Sequence, residues 1–376
     1  MKKMDDRAKK LLLLFAGIIV FIIIICIIAF VIGKTSNSSL DYVEIEEKLV
    51  EAAQNYYSKN SGELPLNEEE RNVEVSVSTL VSSGYLNELS SYQKDESVIC
   101  DGKVKVIKSG DYYDYSPYLD CGDKYRTIYL YEKLLDGVVT NDDGLYKTTQ
   151  YSKNKGNVTR YIFRGEYPNN YVSIDGVLWH IVKINEDNTI TLIKAKVDRN
   201  NYDTVVWDDR YNIKTDSYDG INNFEESRIR RTLDTYYENI YTEYLKKKMV
   251  NVTNCVGARR KTDNKNNGSI ECSKLSENSF VSLLPTYDFI NASLDKNCKT
   301  INDKSCSNYN YLTKFSGSWW MLTVSADVDT KAYVANKSAR ADNFTDDYYA
   351  RTVISLNENT IYTTGDGTST NPYIIK

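Results

Sequence analysis

YVSIDGVLWHIVKINEDNTITLIKA, running from Tyr171 to Ala195, decides the fold of the larger part of this chain. Apolar and polar residues alternate as they do in strands, with Asp175-Gly176 and Glu186-Asp187-Asn188 as turn signals between the runs. The pattern predicts two or three consecutive antiparallel strands. Downstream, FEESRIRRTLDTYYENIYTEYLKK places Ile229, Leu233, Tyr236, Tyr237, Ile240 and Tyr244 on one helical face, and SLLPTYDFINAS reads as a second, short helix. WWMLTVSAD, KAYVANKSA, ARTVISLN and NPYII read as late strands joined by loops rich in Asp and Asn. The class is α+β. Trp179 is expected in the core. Adjacent tryptophans on a strand point to opposite faces, so at most one of Trp319 and Trp320 is expected in the core of a half-buried sheet.

Upstream, TNDDGLYKTTQYSKNKGNVTR is polar and rich in Asn and Gly, and 126–154 is read as a linker. Before it, LDYVEIEEKLVEAAQNYYSKN carries Leu40, Val43, Leu49, Val50, Ala53, Tyr56 and Tyr57 at helical spacing, and Ser61-Gly62 ends the pattern. VSTLVSSGYLNEL is a short amphipathic helix broken at Gly84. VICDGKVKVIKSGDYYDYSPYLDCGD is a hairpin around Ser109-Gly110, flanked by Cys100 and Cys121.

Leu11 to Ile32 is an unbroken apolar run, LLLLFAGIIVFIIIICIIAFVI. As a helix it would extend about 33 Å, enough to cross a hydrocarbon core. Lys2, Lys3, Arg7, Lys9 and Lys10 outweigh Asp5 and Asp6 on its N-terminal side, which keeps residues 1–10 cytoplasmic and sends the rest outside. The run is longer than the apolar region of a cleaved signal peptide, so the expectation is an uncleaved, single-pass anchor in the cell membrane.

The formal charge of the 376-residue chain is −5, which removes any general attraction to nucleic acid. Of seven cysteines, Cys26 lies in the apolar run. The other six, Cys100, Cys121, Cys255, Cys272, Cys298 and Cys306, are an even set on the outer side, which points to disulfides. Their number leaves the connectivity open, and local order favours Cys100–Cys121, Cys255–Cys272 and Cys298–Cys306.

Two resemblances arise from these motifs. The apolar helix, AAQNYY, GELP, TLVSSGYL and the cysteine-flanked hairpin, over roughly residues 10–125, resemble pilin- and pseudopilin-like surface proteins of Gram-positive bacteria. Arg7-Ala8-Lys9-Lys10 stands where a processed prepilin carries Gly, and the run holds no acid, so 33–125 is expected as a stalk that stays anchored. Over residues 155–376, FRGEYPNNYVSIDGVLWHIVKI, NTITLIKA, IRRTL, SLLPTYDFINAS, SWWMLT, YYARTVISL and GDGTSTNPYII occur in an order that resembles a family of bacterial surface domains. That family lies in the C-type-lectin-like and formylglycine-generating-enzyme-like fold group. Where its members show Gly-Val-Arg-Pro-Val, this chain has Ala350-Arg351-Thr352-Val353. The resemblance implies a C-type-lectin-like domain of short antiparallel strands with two helices.

No catalytic set emerges from the residues. His180 is the only histidine and sits inside a strand pattern. No Ser-His-Asp or Cys-His pairing can be built beyond it, no Walker loop or GxGxxG precedes a helix, and no CxxC offers zinc ligands. WDDRYN, TDSYDG and RADNFTDDYY are oxygen-rich stretches that could contribute to a calcium site, although none follows the EF-hand pattern; no other cofactor is implied. Trp207 among acids in a loop is a candidate platform for a sugar or peptide. With Asp208, Asp209, Asp346, Asp347 and Arg351 it forms the expected ligand-binding set. The expected function is non-catalytic binding at the cell surface to glycan, cell wall or protein; the alternative is a structural or assembly component of a pilus-like or secretion apparatus.

Overall fold

The computed structural model describes residues 40–67, 70, 72–196 and 204–376. The expected membrane span, 11–32, lies outside the described residues; among those described, no helix is long and apolar enough to cross a membrane. The fold is mixed α+β and mostly strands. The chain divides into a smaller unit (up to 59, 75–104 and 117–126) and a larger one (60–74, 105–116 and 127–376).

In the smaller unit, α1 (Tyr42–Lys59) buries Ile45, Leu49, Ala52, Ala53 and Tyr57 and packs on α2 (Val77–Ser82), which buries Val77 and Leu80. Ser76 caps α2 by accepting from the Thr79 amide, and Gly84 follows at φ 76°. Strands β1 (Asn72–Ser76), β2 (Asp101–Ser109) and β3 (Tyr112–Asp120) form a three-stranded sheet in that order. The disulfides Cys100–Cys121, Cys255–Cys272 and Cys298–Cys306 are the locally ordered set.

The larger unit is built outward from the Tyr171–Ala195 stretch. Strand β4 (Gly144–Ser152) pairs along its whole length with β5 (Gly156–Arg164), and β6 (Tyr171–Ile174), β7 (Val177–Ile184) and β8 (Ile190–Lys194) follow as consecutive antiparallel strands. Asp175 and Gly176 take φ of 50° and 75°, the left-handed pair that a two-residue hairpin turn requires. β7 also pairs with β5, so it sits at a branch of a nine-stranded sheet. The chain continues through β9 (Thr204–Val205), the two-stranded ribbon β10 (Val252–Cys255) and β11 (Leu275–Ser279), β12 (Val281–Ser282), β13 (Trp319–Val324), β14 (Lys331–Ala335), β15 (Ala339–Asn343), β16 (Tyr348–Tyr349), β17 (Val353–Leu356), β18 (Tyr362–Thr364) and β19 (Tyr373–Ile375). β12, β17, β8, β7, β6, β19 and β18 lie side by side in the large sheet; β15, β14, β13, β16 and β9 form a second, five-stranded one.

Both sheets are covered on both faces where it matters. Every residue from Trp179 to Ile184, all of β8 and all of β13 are buried. Such strands read as nearly continuous apolar runs, without a wet face. Trp319 and Trp320 are therefore both in the core, against the expectation of one; the Trp320 indole donates to the Val205 carbonyl at 2.7 Å.

The helical stretch 224–247 is two helices, α4 (Arg228–Asn239) and α5 (Glu243–Lys248). The first ends at Ile240, whose amide donates to the Tyr236 carbonyl, and Thr242 caps the second by accepting from the Leu245 amide. α6 (Thr286–Asn291) is buried at five of its six positions and packs on β13. The 126–154 stretch, expected as a linker, holds the helix α3 (Leu130–Leu135) and the strand β4, in which Leu145 and Gln150 are buried while Lys147 and Thr149 are exposed.

A chain beginning at residue 155 would expose the edge of β5 and remove Leu130, Leu134 and Leu145 from the core. Its thermal unfolding, followed by circular dichroism, should move to markedly lower temperature than that of the intact chain; an unchanged transition would contradict this placement of 127–154.

Candidate functional site

The expected ligand set is not assembled at the surface. Trp207 is fully buried, its ring stacked on Phe344 with centroids 4.5 Å apart. Asp208 is also fully buried, and its carboxylate accepts from Arg210 Nε at 2.9 Å, from the Ile221 amide at 2.8 Å and from the Arg228 amide at 3.2 Å. It ties a loop together and leaves no room for a ligand. Asp209 pairs with Arg228 at 2.8 Å, Asp346 accepts from the Asn343 amide within its own turn, and Asp347 is exposed. Among the described residues no group of three or more His, Cys, Asp or Glu side chains converges to hold a metal ion.

Arg351 is 2% exposed. It donates to the carbonyls of Lys194 at 2.8 Å and Leu312 at 2.9 Å, and its guanidinium lies over the rings of Phe315 and Trp319. Burial pulls it below its ordinary value. Trp207, Asp208 and Arg351 thus build the interior.

His180 belongs to the same interior. Its Nδ1 donates to Asn170 Oδ1 at 2.9 Å, and the rings of Tyr171 and Tyr311 pack against it at a tilt. Burial, aided by the Arg351 charge, holds the imidazole well below its ordinary value, so the native state keeps it neutral.

A different place has the shape of a site. A cleft of about 390 Å³ opens in the larger unit between the β4–β5 turn, the 185–189 loop, the β10–β11 ribbon and the N-terminal end of α6. Its wall combines aliphatic residues with amides and hydroxyls, among them Asn185, Asn251, Asn254, Asn278, Thr189, Thr191 and Thr253, and with the aromatic side chains of Tyr151, Phe280 and Tyr287. Lys153 and Lys155 stand at the β4–β5 turn.

Beneath runs a connected ionic network. Lys183 Nζ donates to Asp288 Oδ2 at 2.6 Å and to the Tyr287 hydroxyl at 3.3 Å. Gln150 donates to Asp288 Oδ1 at 3.4 Å and accepts from Arg160 at 3.2 Å, and Arg160 Nε pairs with Glu186 at 2.8 Å. Burial pushes the Lys183 ammonium down, but the Asp288 carboxylate and Tyr287 outweigh it and hold the group above its ordinary value. Burial, with Asp288 beside it, raises the Tyr287 phenol. Lys183 is thus a fixed cation, and the network supplies a rigid floor of donors and acceptors.

No motif or spacing in the sequence singles out these residues as a site. The signal was one charge inside each of two apolar runs, Lys183 in VLWHIVKI and Asp288 in PTYDFI. Charges in fully buried elements are normally paired, and these two pair with each other.

Compared with family models, curated proteins and solved structures, the chain matches none.

Two outcomes follow from the geometry. Asp288→Ala strands a buried ammonium and should cost about 3–5 kcal/mol in denaturant unfolding, whereas Lys183→Met with Asp288→Leu should cost far less. For His180 the folded imidazole resists a proton that the unfolded one takes up near pH 6.5. Its contribution is complete above that value and is lost as pH falls, at up to about 1.4 kcal/mol per pH unit. Between about pH 7 and 5 the unfolding free energy of the wild type should fall and that of His180→Gln should stay flatter; equal slopes would refute this.

Proposed function

We propose that the chain is a membrane-anchored bacterial cell-surface protein whose larger unit binds a hydroxyl- and amide-rich ligand, a glycan or cell-wall fragment, without transforming it. One observation carries this reading: the cleft pairs a wall of Asn and Thr side chains and aromatic surfaces with a floor whose charges are already neutralised by one another. Polar ligands that carry no net charge are recognised by fixed donors and acceptors beside aromatic faces, and a locked floor lowers the ordering cost of binding. The apolar run 11–32 and its basic flank support the membrane anchor and the outward orientation. The motif resemblances support reading the smaller unit as a pilin-like stalk and the larger as a C-type-lectin-like domain. Fold-level resemblance alone would not indicate binding, so the weight rests on the cleft.

The test uses the detergent-solubilised full chain with purified cell wall and a glycan panel. Saturable binding is expected, and Thr253→Trp should weaken it at least tenfold by filling the cleft mouth, where Thr253 donates to Asn278 at 2.6 Å. No binding, or binding indifferent to Thr253→Trp, would move the reading to a structural component whose partners are pilus-like or secretion subunits.

A further inference from the structure

Away from the cleft, still within the larger unit, three segments distant in sequence bring together a buried amine, carboxylate and carboxamide. Lys248 is the last residue of α5, Asp114 lies in β3, and Asn357 directly follows β17. All three side chains are shut off from solvent. One carboxylate holds the other two groups: Lys248 Nζ donates to Asp114 Oδ1 at 2.8 Å and Asn357 Nδ2 donates to Asp114 Oδ2 at 2.9 Å. The backbone holds the same partners in register, with the Asn357 amide donating to the Lys248 carbonyl at 2.8 Å and a bridge between Met249 and Leu356. The carboxamide oxygen of Asn357 accepts from the Asn359 amide at 3.0 Å, and the Tyr244 ring lies 5.9 Å from Lys248 Nζ.

We propose that Lys248 and Asn357 join through an amide bond formed by the protein itself, with Asp114 carrying the protons. The chemistry requires a neutral amine, a polarised carbonyl and an acid at the leaving nitrogen, and each has its group here. Asp114 takes a proton from the Lys248 ammonium, and the freed amine attacks Asn357 Cγ. The Asn359 amide stabilises charge developing on the carbonyl oxygen, as an oxyanion-type donor does. The Nζ–Cγ bond forms, the Cγ–Nδ2 bond breaks and Nδ2 leaves as ammonia. Asp114 ends as a neutral carboxylic acid; no oxidant or other reagent is consumed. The fold brings the amine and the carboxamide onto the two oxygens of one carboxylate, and burial adds a driving force, because an ion pair held out of water is replaced by a neutral amide and a neutral acid. The bond would tie α5 to the segment after β17.

The experiment is an intact-mass measurement on the denatured, oxidised full chain. The expected mass is lower, by one ammonia, than the sequence corrected for three disulfides. Digestion after reduction should yield a branched peptide joining Lys248 to Asn357. Lys248→Arg keeps a cation for Asp114 but cannot form the bond, and should restore the ammonia. A wild-type mass explained by disulfides alone overturns the proposal, as does a deficit that persists in Lys248→Arg.

Discussion

A strand buried on both faces has no side on which to leave a polar group, and β7 meets that constraint with His180 and Lys183 in its run. Each must be satisfied inside the protein or its desolvation is uncompensated. Asn170 answers His180 and Asp288 answers Lys183. The second pairing requires α6 to present an acid from within a helix that is otherwise almost wholly buried. One ion pair therefore fixes where α6 lies against the sheet, and α6 in turn forms one wall of the cleft.

The same pairing gives the cleft its character. An open Lys183 would be a mobile cation attractive to any anion. Engaged by Asp288 and Tyr287, it is a fixed point around which Gln150, Arg160 and Glu186 arrange themselves. Networks satisfied throughout rigidify their surroundings, whereas partly satisfied ones are costly. Arg259 and Glu271 make a comparable, fully buried pair, with Thr286 also donating to Glu271 at 2.6 Å, so the start of α6 is anchored from both directions.

Much of the architecture is legible in the sequence itself. The Asp175-Gly176 turn, the three strands around it, the N-terminal amphipathic helix and the local cysteine pairing all follow from rules acting over a few residues. What escaped depends on distant parts of the chain. The alternation in 144–152 is real, but its polar side chains alone could not distinguish an edge strand from a loop. Trp207 sits among acids and looked like a surface residue; Phe344, far along the chain, buries it. The helix ends at Ile240 and a new one starts after Thr242, although the apolar spacing runs on without a break. The cleft escaped for the same reason, since its wall draws on β4, β5, β7, β10, β11 and α6 and no short motif contains it.

Hydrogen exchange of the full chain, with and without soluble cell-wall fragments, tests the central claim most directly. The account predicts added protection in peptides covering 150–160, 251–255 and 276–288, the walls and floor of the cleft. Protection confined to 204–221 and 340–349, or exchange unchanged throughout, would contradict it.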